Sequence, residues 1–202
     1  IHRAVLPPEA ECEAQAACIA PIRAKTAVQS CAADAVLLAL RAMDVRPEQT
    51  GVTLIAERAG RDVQTAAFEL ARRVRCVRVC SRVPAPALRR RLYEEYGIAE
   101  HAPPSDACGA ALVFDETEEG LEGYGAVCNL CGHARRPHGR PEYRCRLSCA
   151  PEILARKPPE ADESDFTAAL YLCRGLTRGD LELLIDPQSA LDREGKPQYN
   201  KD

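Results

Sequence analysis

Four cysteines in two close pairs, Cys128-Asn-Leu-Cys131 and Cys145-Arg-Leu-Ser-Cys149, are the side chains in this sequence best placed to do chemistry. Thiolates at such spacings can close a tetrahedral structural zinc site, and the intervening basic loop offers His133 and His138 as spare ligands. Two plainer readings compete. The chain holds 11 cysteines in 202 residues, so free thiols serving as small core residues account for the same positions. Residues 143–149 also alternate Tyr143, Cys145, Leu147 and Cys149 against Arg144, Arg146 and Ser148, as a strand does. Only Gly132 supplies the kind of turn that tends to follow a zinc-binding pair. Buried thiols therefore rank first, zinc second and a disulfide third.

Acids form the next constellation. Asp115 closes the apolar run Ala111-Leu-Val-Phe, and the carboxyl end of a buried strand is where ligands meet a helix-covered parallel sheet. Glu116, Glu118 and Glu119 read as a solvated loop. A Mg²⁺ role would need phosphate partners that the sequence does not identify. No catalytic residue can be named, because His2, His101, His133 and His138 show no nucleophile–base pattern. A Gly-x-Ser-x-Gly elbow and a phosphate-binding Walker loop are both absent.

The elements that must position these groups follow from periodicity. A short helix over 9–19 is expected between Pro8 and Pro21. Ser30 is the expected cap of a helix over 31–43, with Val36, Leu37, Leu40 and Met43 on its buried face. A strand over 52–56 comes next, then a helix capped by Asp62 that turns Val63, Ala67, Leu70 and Val74 inward. Ala66, Ala67 and Ala71 keep that helix slim enough for close approach to a sheet. A second strand over 75–81 points Val77 and Val79 to one side, and Cys76 and Cys80 to the other as core-type residues. A helix carrying Leu88, Leu92, Tyr93 and Tyr96 ends at Gly97, and a third strand covers 111–115. Strands are also expected over 124–130, 143–149 and 181–186. A polar linker at 157–163 leads to a helix capped by Ser164 or Asp165, with Phe166, Ala169, Leu170 and Cys173 on one face.

This alternation implies an α/β fold: a Rossmann-like doubly wound sheet, mainly parallel, with an N-terminal helical extension. Residues 1–48 form the extension, and residues 49–202 form the α/β domain with a cysteine-rich insertion near 121–150. The order of helix 31–43, link 44–50, strand 52–56, helix from Asp62 and strand ending at Ser81-Arg82 resembles the dinucleotide-binding domain of shikimate dehydrogenase and glutamyl-tRNA reductase relatives. The resemblance covers about a third of the chain and lies in layout more than in motif. It implies a cofactor edge made of Glu57, Arg58, Gly60, Arg61, Ser81, Arg82 and Asp115, with Arg82 suited to a 2′-phosphate. The departures are specific. Those families place a glycine-rich turn after the first strand, where this chain has Glu57, Arg58 and a single glycine, Gly60. NAD(P) in the usual pose is therefore disfavoured. The substrate-binding N-terminal domain of shikimate dehydrogenase has no counterpart in residues 1–29, so no catalytic pair carries over.

Composition narrows the partners. A net charge of -3, with arginines interleaved among acids, argues against a nucleic-acid partner. No apolar run approaches the roughly 18 residues of a membrane span. The length of the chain and its helical pattern favour a cytoplasmic protein with reduced thiols over a secreted disulfide scaffold. No secretory apolar region is visible, although the chain starts at Ile1 rather than Met, which leaves a removed leader open. Together these features predict a non-catalytic or regulatory module that binds a small ligand or a protein partner. The alternatives are an NAD(P)-dependent oxidoreductase with an atypical cofactor loop and a zinc-stabilised interaction protein.

Overall fold

A computed structural model describes residues 2–4, 19–21, 24–99, 109–115, 121, 123–131, 142–173 and 175–188. At the start of the chain, β1 (His2–Ala4) pairs in parallel with β2 (Ile19–Pro21). The helix expected over 9–19 falls mainly outside the described residues, and Ile19, its expected last residue, is in a strand. The N-terminal segment is thus strand as well as helix.

Two helices follow, α1 (Ala24–Ser30) and α2 (Ala32–Ala42). The expected cap, Ser30, is instead the last residue of α1, and Cys31 takes the capping position, its side chain making no capping hydrogen bond to the helix amides. The reason is local: residues before Ser30 are already helical, so its backbone cannot adopt the extended geometry that lets a serine cap. Val36, Leu37 and Leu40 are buried as the spacing predicts. Asp44 ends the helix with φ 55, a left-handed conformation that a short polar side chain tolerates, while the Val45 N–H reaches back to the Leu40 carbonyl at 2.9 Å.

β3 (Gly51–Ala56) is buried from Val52 onward. An unbroken apolar run of this kind marks a central strand covered on both faces, and β3 pairs in parallel with β4 (Cys76–Ser81) on one side and β5 (Ala110–Val113) on the other. Between β3 and β4 lies α3 (Arg61–Leu70), whose Val63, Ala66, Ala67 and Leu70 are buried. Its cap is Gly60, and Asp62 sits inside the first turn, where its charge favours the helix dipole without capping. β4 buries Val77 and Val79, whereas Cys76 and Cys80 are half-buried because β4 ends the sheet. α4 (Pro86–Tyr96) buries Leu88 and Leu92 and stops at Gly97, whose φ of 67 is the left-handed cap that glycine takes without strain.

β6 (Ala126–Asn129) pairs in parallel with β5, and β7 (Glu142–Ser148) pairs in parallel with β6. With β8 (Glu182–Gln188) the strand order is β4-β3-β5-β6-β7-β8, a six-stranded, mostly parallel α/β sheet.

By internal contacts the chain divides into two compact units, residues 1–28 with 146–184 and residues 29–145 with 185–202. The first contains α5 (Pro151–Leu154) and α6 (Glu163–Leu172). Neither Ser164 nor Asp165 caps α6. Asp162 does, its carboxylate accepting from the Ser164 and Asp165 amides at 2.8 and 3.1 Å. The buried face also differs from the expected one: Ser164, Thr167 and Ala168 are buried, while Phe166, Ala169 and Leu170 are half-buried and Cys173 is exposed. No helix among the described residues is long and apolar enough to cross a membrane.

Candidate functional site

Parallel pairing brings the predicted cofactor-edge residues to one end of the sheet. Ala56 lies abreast of Ser81 and Ile55 abreast of Val113, so the chain leaves β3, β4 and β5 on the same edge at Glu57, Arg82 and Phe114. The connection also reverses here. From β3 the chain moves outward to β4, then passes back across β3 to β5. Such a reversal leaves a gap between the two flanking connections, open at the carboxyl ends of the strands.

Several of the polar groups at this edge are engaged by the protein itself. The Glu57 N–H donates to Asp115 Oδ2 at 3.2 Å. That amide is the first of the turn, the group a phosphate would seek, and a carboxylate stands in its path. The Glu57 carbonyl accepts from the Val83 N–H at 3.0 Å, and the Ala56 carbonyl from the Arg82 N–H at 3.3 Å. Ser81 spends its hydroxyl proton on the Val83 carbonyl at 2.8 Å. Glu57, Arg58, Arg61 and Arg82 are exposed, and Asp115 is half-buried.

No protein atom requires a glycine at Gly60. Its backbone is extended, with φ -64 and ψ 178 degrees on the negative side, and a Cβ built on it meets nothing within 4 Å. Any small residue fits there. Its N–H bonds the Arg58 carbonyl at 2.8 Å, tightening the turn before α3. Glu116, Glu118 and Glu119, the remaining acids of the predicted constellation, lie outside the described residues.

The next strand end adds a residue that sequence reading missed. Asn129, the last residue of β6, is buried and hydrogen-bonded through both ends of its amide: its Nδ2 donates to Glu142 Oε1 at 2.7 Å, and its Oδ1 accepts from the Cys131 N–H at 3.0 Å and from the Cys131 thiol at 2.7 Å. A buried amide needs this many partners to offset its desolvation. The signal in the sequence was a polar residue closing the apolar run Ala126-Val-Cys128. Gln29 acts similarly, donating to the Phe114 carbonyl at 2.7 Å just ahead of Asp115.

Of the four predicted metal ligands, the structure brings two together. Cys128 on β6 and Cys145 on β7 have their Sγ atoms 3.6 Å apart. Cys131 is turned to Asn129, and the Cys149 sulfur accepts from the Thr167 hydroxyl at 3.6 Å. His133 and His138 lie outside the described residues. Among the described residues no group of three or more His, Cys, Asp or Glu is placed to hold a metal ion. The Cys128 thiol is held well above the ordinary thiol value, by its hydrogen bond with Cys145, by burial, and by the nearby negative charge of Cys145 and Glu142.

No protein-family model, curated protein or solved structure matches this chain.

Proposed function

We propose that this chain is a non-catalytic, Rossmann-like binding module whose small-molecule site is the carboxyl edge between β3 and β5. The reversal of strand order at β3 supports the location, since doubly wound sheets bind ligands at such a point. The observation that carries the reading is the contact between the Glu57 amide and the Asp115 carboxylate at 3.2 Å. It replaces the bare, glycine-lined amides that cradle a pyrophosphate with a group of negative charge. The favoured ligand is therefore a neutral or cationic polar molecule that hydrogen-bonds Asp115, with Arg58 and Arg82 at the rim.

A thermal-shift screen of amines, amino acids, polyols and nucleosides tests this, because a ligand that binds only the native state raises its stability. Stabilising ligands should lose most of their effect in a folded Asp115→Ala variant. A ligand whose stabilisation is unchanged by that substitution would place the site elsewhere.

A further inference from the structure

The close pair Cys128 and Cys145 has no part in that ligand edge. β6 and β7 run side by side in parallel, with Cys128 opposite Tyr143. Side chains alternate along a strand, so Cys145, two residues beyond Tyr143, shares its face and that of Cys128. The two Sγ atoms lie 3.6 Å apart, and both residues are free thiols. A disulfide needs sulfurs about 2.05 Å apart, so the sulfurs must close by about 1.5 Å, and because Cys145 lies two residues past Tyr143 the bridge is diagonal and draws the two strands together at that point. The pair is also asymmetric. Cys128 is 1% exposed, whereas Cys145 is half-buried.

We propose that Cys128 and Cys145 form a reversible dithiol–disulfide site that links β6 to β7 covalently on exposure to a low-molecular-weight disulfide. Cys145, as thiolate, attacks one sulfur of the disulfide RSSR, giving a Cys145–S–S–R mixed disulfide and releasing RS⁻, which takes up the proton Cys145 gave away. Cys128 then loses its proton and attacks Cys145 Sγ, and a second RS⁻ leaves and is protonated. Two protein thiols and RSSR thus become one protein disulfide and two RSH, the two electrons passing to RSSR. Burial of Cys128 slows its ionisation, but its sulfur is already held beside the one it must attack, which turns the second step into an intramolecular reaction. The bridge lies one residue from Asn129, whose side chain already joins β6 to Glu142 of β7 at 2.7 Å, so oxidation reinforces an existing tie.

The test is to incubate the full chain with oxidised glutathione, alkylate the remaining thiols under denaturing conditions and map cysteine pairs by fragmentation mass spectrometry. The expected result is a bridge between Cys128 and Cys145 that dithiothreitol reverses. It should be absent in Cys145→Ser, where Cys128 is alkylated, and retained in Cys131→Ser. Alkylation of both residues after oxidation, a glutathione adduct that persists on Cys145, or a bridge from Cys128 to Cys131 overturns the proposal. The wild-type map decides among these outcomes even if a variant fails to fold.

Discussion

The run from β3 to β5 and the helix α6 are held in place by different means. In the first, β3 presents Val52, Leu54 and Ile55 to the interior, α3 lays Val63, Ala66, Ala67 and Leu70 inward, and all of β5 is buried. Stability there comes from apolar area removed from water, which depends on side-chain type and spacing and little on any single partner. In the second, the buried face of α6 consists of Ser164, Thr167 and Ala168. Ser164 Oγ accepts the Leu147 N–H at 2.9 Å, the Thr167 hydroxyl meets the Cys149 sulfur, and the Ser148 hydroxyl donates to Glu163 at 2.6 Å. Each of these contacts depends on one named partner. A core built from area tolerates rearrangement, whereas a polar seam fails one bond at a time.

Three substitutions probe this contrast. Leu54→Ala, at a side chain that is 0% exposed, should cost about 2–5 kcal/mol as lost burial plus a cavity, read as a lower urea midpoint. Ser164→Ala leaves the buried Leu147 N–H without its acceptor, and the expected loss is about 1–3 kcal/mol. A loss within the scatter of surface substitutions would mean that the seam is not held by that bond. Asp162→Ala removes the cap of α6 and should cost about 1 kcal/mol, with faster amide exchange confined to the first turn of the helix. Exchange that rises equally throughout β3 would erase the distinction between the two regions.

The same contrast explains what the sequence could reveal. The strands over 52–56 and 75–81, the inward face of α3 and the stop at Gly97 were legible because each follows from spacing or from a backbone conformation that glycine favours. The cap of α6 was not, because Asp162, Ser164 and Asp165 are all competent caps and only the register of the chain selects one. Its buried face was misjudged for a related reason: Phe166 and Leu170 outrank Ser164 and Thr167 in hydrophobicity, but β7 and the residues after it supply partners for the hydroxyls. At the candidate site the edge position of Glu57, Ser81, Arg82 and Asp115 followed from strand order in the chain. The hydrogen bond from Glu57 to Asp115 spans 58 residues, and no local pattern announces it. The fourfold grouping of cysteines rested on proximity in sequence, whereas β6 and β7 juxtapose only Cys128 with Cys145.

In our proposal the edge between β3 and β5 keeps the position of a ligand site but lacks the chemistry of a pyrophosphate cradle. The most direct test is the melting temperature of the wild-type chain in millimolar NAD⁺ or NADP⁺. No rise is expected with either cofactor. A ligand at a hundred times its Kd stabilises the native state by about 2.7 kcal/mol, so a concentration-dependent rise would contradict the proposal.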